Sequence, residues 1–232
     1  MEAARPYTGT DNLDVLREAE NYNSYLVDAL LKACPDPGPT LDFGAGLGLY
    51  GELLRKKKIS VDCLEPDIYL SNLLKKKQFT VFQDVRKIET ARYVFIYSLN
   101  VLEHIKNDLD ILLAINRKLA PGGILFLYVP AFNILYTSMD KKVGHFRRYR
   151  HKSLSSKLVR AGFMVKKWRY VDCLGFLAAL LYKISGPRSG NITRNSIRNY
   201  DKYIFPLSCK LDAVFHPFFG KNLMIIATKG SR

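Results

Sequence analysis

Two stretches of the chain concentrate residues that can do chemistry. In residues 40–51 an apolar run meets Asp42 and then glycines at 44, 46 and 48, before an apolar helix-forming segment begins. Glycines at alternate positions let the backbone turn sharply and let a ligand approach bare peptide groups. The helix behind them aims its free amides at that ligand. A second apolar run, 60–64, ends in Glu65, where a strand of a doubly wound sheet offers a carboxylate to ribose hydroxyls. The other stretch is 144–150, which holds His145, Arg147, Arg148, Tyr149 and Arg150. An imidazole titrating near neutrality makes His145 the leading candidate base, with His104 next. The arginines could hold a phosphate or carboxylate through fork-type hydrogen bonds. Equally, Arg147 and Arg148 could pin the loop through internal salt bridges. Tyr149 and Tyr136 could position an acceptor.

Two cofactor classes fit the glycine stretch. Residues 46–51 match G-x-G-x-x-G, the dinucleotide pattern. S-adenosylmethionine, which carries a ribose and an adenine but no phosphate, uses a similar turn. Asp42 helps decide between them: a carboxylate just before the first glycine would repel a pyrophosphate and suits an ammonium and a sulfonium. The chain shows no Ser-His-Asp arrangement and no catalytic cysteine motif. Its cysteines, at 34, 63, 173 and 209, lack metal-ligand spacing, so no metal site is expected. Reduced core thiols are the expectation for them.

These residues need a scaffold. At 232 residues the chain has the length of one α/β domain. A leading helix is expected over 11–33. Strands are expected at 40–42, 60–64, 79–82, 93–97, 124–129, 163–169 and 223–229, with helices between them. Asp108 and Ser153 are placed as helix caps. This alternation argues for a doubly wound, mostly parallel sheet. The expected division is a leading helix and lid (1–39), a cofactor-binding core (40–169), a helical insertion (170–221) and a last strand with tail (222–232), all one domain. Tyr7, Tyr22 and Tyr25 are read as packing residues that could also close a lid over the cofactor.

The order of Asp42-Phe43-Gly44-Ala45-Gly46-Leu47-Gly48, Glu65, Gln83-Asp84-Val85, Asn100-Val101-Leu102-Glu103-His104 and Pro121-Gly122-Gly123 resembles class I S-adenosylmethionine-dependent methyltransferases. The resemblance implies a Rossmann-like, seven-stranded sheet whose last strand is antiparallel. It implies S-adenosylmethionine as cofactor and S-adenosylhomocysteine as product. Asp42, Gly44, Gly46 and Gly48 would surround the methionine part, Glu65 with Pro66 the ribose, and Asp84 with Val85 the adenine. Asn100 and Leu102 would border the methyl group. Arg92-Tyr93 departs from the family's acidic residue at that point, a structural position. The segment Gly144-His145-Phe146-Arg147-Arg148-Tyr149 resembles a bacterial branch linked to sugars, lipids and other cell-envelope intermediates.

The charge balance is 36 Lys and Arg against 21 Asp and Glu, or +15. It favours an anionic partner or simply gives a basic surface. A small acceptor, or one linked to lipid or sugar, is expected. Nucleic acid is disfavoured because Ser98-Leu99-Asn100-Val101 replaces the Asn/Asp-Pro-Pro-Tyr/Phe motif. The chain shows no apolar signal segment and is read as cytoplasmic. Residues 173–182 are apolar on nearly every side of a helix, which suits burial or a membrane interface. Burial is preferred, with Leu177, Leu180 and Leu181 packed inward as a cap. The sequence is silent on oligomeric state, and on whether the acceptor atom is oxygen, nitrogen or carbon.

Overall fold

The structure is a computed structural model that describes residues 17–34, 38–185 and 194–230. Its centre is a sheet of β1 (Thr40–Phe43), β2 (Val61–Leu64), β3 (Val81–Phe82), β4 (Tyr93–Leu99), β5 (Leu119–Pro130), β6 (Phe163–Val171) and β7 (Asn222–Lys229). These seven strands stand in the order β3-β2-β1-β4-β5-β7-β6. The pairs β1–β2, β1–β4, β2–β3 and β4–β5 are parallel, and β7 runs antiparallel to both β5 and β6. The strand order reverses between β1 and β4, where ligands of such sheets bind at the carboxyl ends.

Helices cover both faces, which is why the central strands are apolar throughout rather than alternating. α1 (Glu20–Ala33) and α2 (Leu49–Lys56) lie on one face, with Leu26, Leu30 and Leu54 packed on Phe95, Tyr97 and Tyr128. On the other, α4 (Asp108–Lys118) and α6 (His151–Arg160) bring Leu112, Ile115, Leu154 and Leu158 against Leu41, Ile96 and Leu125. α3 (Ile68–Lys76) follows β2, and the short α5 (Ser138–Lys142) follows β5.

The expected leading helix begins only at Glu20 within the described residues; 11–16, with Tyr7 before them, lie outside. Both expected caps are corrected. Ser153 lies inside α6, which Arg150 precedes, and Asp108 is the first residue of α4. The Asp108 carboxylate is taken by Arg147, Lys157 and the Tyr149 hydroxyl. Two cations and a buried hydroxyl outcompete the local amides for it.

The insertion forms α7 (Cys173–Ser185), α8 (Arg194–Asn199), a π-turn over Tyr200–Ile204 and α9 (Phe205–Phe215). Buried carboxylates bind it to the core. Asp212 accepts from the amides of Asp172 at 2.7 Å and Cys173 at 2.9 Å, supplying the start of α7. Asp201 does the same for α1, accepting from Asn21 at 2.9 Å and Tyr22 at 2.8 Å. Tyr22 and Tyr25 pack edge-on against Phe205.

The expected burial of α7 fails on one face. Leu177 is 46% exposed, Leu181 65% and Ile184 77%, and Leu180 is half-buried. The helix is apolar all round, but packing covers only the side of Cys173 and Phe176, the latter meeting Phe132 edge to face and Phe219 at a tilt. No helix among the described residues is long and apolar enough to cross a membrane.

Candidate active site

The glycine turn joins β1 to α2, and Gly44, Gly46 and Gly48 all take positive φ, at 84°, 54° and 78°. A side chain is doubly excluded at two of them. A Cβ on Gly44 would stand 2.4 Å from Val101 Cγ2, and one on Gly48 2.5 Å from Leu74 Cδ2. The turn therefore presents backbone to whatever lies over it.

Two carboxyls flank this turn. Asp42 is buried at the end of β1, in register with Cys63 of β2 and Tyr97 of β4. Burial pushes its carboxyl up to about 7, and the neighbouring Glu65 pushes the same way. Glu65, also buried, directly follows β2 and accepts from the Gly46 amide at 2.8 Å and the Asp67 amide at 3.0 Å. Its carboxyl is raised by burial, against those two bonds. Two carboxyls in one low-dielectric corner favour a cationic ligand over a pyrophosphate. Pro66 follows on the surface, before α3.

Asp84 and Val85 stand past β3. Asp84 accepts from the Arg86 amide at 2.8 Å and pairs with its guanidinium, which holds the carboxyl down to about 2. Asn100 follows β4 at φ 55°, and its backbone amide donates to Tyr128 O at 2.7 Å. Asparagine tolerates this left-handed region better than most residues. The next residues form a 3₁₀ turn over Leu102–His104, with Leu102 and Glu103 buried.

This turn meets the histidine segment. The His104 and His145 rings pack edge to face at 4.6 Å, and the Phe146 amide donates to Glu103 O at 2.8 Å. The 144–149 segment thus lies beside the turn that follows β4, at the same end of the sheet as the glycines. His145 Nδ1 is 2.7 Å from Asp140 Oδ1. Burial pushes Asp140 up, but hydrogen bonds from His145 and Arg148 outweigh it and hold the carboxyl at about 2. An ionised carboxylate only accepts, so Nδ1 donates the hydrogen of that bond and Nε2 is the ring nitrogen turned away from it. That Nε2 lies 3.8 Å from Glu103 Oε1. His104 is pushed down to about 4 by burial and then by His145, so it is neutral at pH 7.

The remaining candidates are drawn into the frame. Arg148 grips Asp140 and also reaches Ala131 O at 3.3 Å. Arg147 pairs with Asp108 at 2.8 Å and donates to Lys106 O at 2.7 Å. Tyr149 is buried, its hydroxyl donating to Asp108 and Leu102 O. Tyr136 donates to His145 O at 2.7 Å. Arg150 is exposed over the Phe132 ring and forms no ion pair among the described residues.

Sequence reasoning passed over two residues that organise this corner. Glu103 is fully buried, neither oxygen has a hydrogen-bond partner among the described residues, and burial pushes its carboxyl up to about 8. Asp140 receives His145, Arg148 and the Thr137 amide together. A signal existed for each: Glu103 adjoins His104, and Asp140 precedes His145 by five positions.

The methyltransferase-domain family matches residues 15–167. No curated protein is detectably similar in sequence. Among solved structures, the chain is similar to a putative sarcosine dimethylglycine methyltransferase from Galdieria sulphuraria, with TM-score 0.62, 16% identity and coverage of 90% of this chain and 86% of that one. It is also similar to a SAM-dependent methyltransferase from Archaeoglobus fulgidus, with TM-score 0.59, 16% identity and coverage of 89% and 94%. A third is phosphoethanolamine N-methyltransferase 2 from Haemonchus contortus, solved with S-adenosyl-L-methionine, with TM-score 0.58, 15% identity and coverage of 89% and 52%. At such identities these likenesses speak for the fold, and the sequence match carries the family.

Proposed function

The chain belongs to the methyltransferase family, and on that premise we propose that it methylates an anionic small molecule, or one carried on a lipid or sugar, of the kind handled by the bacterial branch its Gly-His-Phe-Arg-Arg-Tyr segment resembles. One observation carries this reading. The glycine turn with Asp42 and Glu65 and the His104–His145 pair stand at the same ends of neighbouring strands.

S-adenosylmethionine is the family's cofactor, and when bound it supplies an electrophilic methyl on a sulfonium. The residues present fit it. The side-chain-free turn at Gly44, Gly46 and Gly48 and the buried Asp42 suit its methionine part. Glu65 keeps lone pairs for ribose hydroxyls beside the two amide bonds it accepts. Pro66, Asp84 and Val85 would flank the nucleoside, and Asn100 and Leu102 the methyl. Orientation alone supplies about 7–11 kcal/mol in well-aligned systems, so a rigid acceptor corner matters more than any single base. Arg147, Arg148, Tyr136 and Tyr149 build that corner by bracing the loop. His145, its Nδ1 held by Asp140 and its Nε2 turned toward Glu103, is placed to take the acceptor's proton. Arg150 is the arginine left to meet an acceptor anion.

The exposed row on α7 and the +15 charge support an acceptor presented at a lipid surface. The direct test is incubation with methyl-labelled cofactor and either a lipid and sugar-phosphate extract or total nucleic acid. Label in the extract, lost with His145→Asn, is expected; label in nucleic acid alone would overturn the acceptor class.

A further inference from the structure

Glu103, His104 and His145 each bring one ligand atom to a point, all within 4.8 Å of one another. No metal-ligand spacing shows along the chain because these groups come from two segments some forty residues apart. From this cluster we propose that Glu103, His104 and His145 bind a divalent first-row transition cation of the zinc class, with a coordination position left open.

Three observations support the site. Glu103 is fully buried, and neither carboxylate oxygen has a hydrogen-bond partner among the described residues. Buried carboxyl oxygens left without a partner are costly unless something else occupies them. The spacing suits a cation: ligands about 2.1 Å from one zinc stand about 3.4 Å apart in a tetrahedron, and His145 Nε2 lies 3.8 Å from Glu103 Oε1. The third is how His145 is held. Metal-binding imidazoles give their other ring N–H to a carboxylate, which fixes the tautomer and the aim of the lone pair. His145 gives Nδ1–H to Asp140 at 2.7 Å, and Arg148 holds Asp140 through Nε at 2.9 Å and Nη2 at 3.0 Å. Asp140 is thus a positioning residue for the site. Two imidazoles and one carboxylate select zinc-like and iron-like ions over magnesium, which prefers oxygen ligands.

Resting on the methyl-transfer reading, the open position faces the acceptor. A cation held by Glu103, His104 and His145 would engage the His145 Nε2 as a ligand and would lower the pKa of an acceptor hydroxyl at its open position, the proton leaving to solvent. The acceptor class narrows accordingly to hydroxyl compounds.

The test uses the purified full chain stripped of metal and titrated with zinc and cobalt chlorides by calorimetry. S-adenosylhomocysteine binding, measured separately, reports the cofactor site alone. One equivalent of cation, with a cobalt spectrum free of thiolate charge-transfer absorption, is expected. Glu103→Gln and His145→Ala should each weaken binding at least tenfold, and Asp140→Asn about 10–100-fold, with S-adenosylhomocysteine affinity unchanged. No binding by the wild-type chain would overturn the proposal. So would a thiolate band, or affinity that survives both ligand substitutions.

Discussion

Arg148 holds both oxygens of Asp140, with Nε 2.9 Å from Oδ1 and Nη2 3.0 Å from Oδ2, and the pair is nearly buried. Through Asp140 the guanidinium sets the aim of His145, so a residue that reads as an anion binder works as a brace. Removing one partner of a buried ion pair leaves the other uncompensated, at a cost of about 3–5 kcal/mol. Arg148→Met should lower stability by that amount in chemical denaturation. A loss under about 1 kcal/mol would mark the pair as surface-like.

The Asp108 cluster predicts an acid-sensitive stability. Burial pushes this carboxyl up, but Lys157, Arg147 and Tyr149 outweigh it and hold it below its ordinary value. A group depressed in the folded state adds stability that is fully present above its unfolded value, about 3.9, and is lost as pH falls through the folded one. Asp108→Asn should therefore destabilise the chain at neutral pH and flatten its stability profile below about pH 4. Equal slopes for both proteins in that window would refute the assignment.

The glycine turn makes a steric prediction. Gly44→Ala meets Val101 at 2.4 Å and must also hold φ 84°. Backbone strain of this kind costs about 1–3 kcal/mol, and the overlap adds to it. Val101→Ala in the same chain should relieve the overlap and leave the strain, giving a partial rescue by thermal melting. Full rescue would mean that φ carries no cost here.

Glu65 tests the cofactor reading. Glu65→Ala should weaken S-adenosylhomocysteine binding by about 1–3 kcal/mol, the cost of losing hydrogen bonds to a buried ligand. Calorimetry that finds tight NADH binding and no S-adenosylhomocysteine binding would sink the reading.

The sheet was legible because parallel strands buried on both faces announce themselves as short apolar runs between glycines and charges. Residues 93–97 and 124–129 are such runs, and they fall within β4 and β5. The cofactor end was legible because its residues sit in one local turn. The acceptor corner was not. Asp108 read as a cap because its neighbours in sequence are helix residues, whereas its partners Arg147 and Lys157 arrive from 39 and 49 positions away. Glu103 read as part of a motif, since no periodicity shows that a charged residue will be fully buried. The exposed face of α7 was missed for the opposite reason. Its composition is apolar all round, and only the packing of Phe176 on Phe132 decides which side is covered.

That face yields the last prediction. Leu177, Leu181 and Ile184 stand four and three positions apart, on one side of α7, and all are exposed. Residues at this spacing line up along a helix and can enter an interface together. The chain's +15 charge would add attraction to anionic lipid, and that contribution is screened as salt rises. The full chain should sediment with phosphatidylglycerol vesicles at low salt and less at high salt. Leu177→Asp with Leu181→Asp should abolish the sedimentation. Exposed substitutions away from buried features change stability by about 0.5 kcal/mol or less, so a folded double variant is expected, and circular dichroism checks it. If the wild-type chain stays in the supernatant at low salt, the lipid surface is excluded and the acceptor is a soluble one.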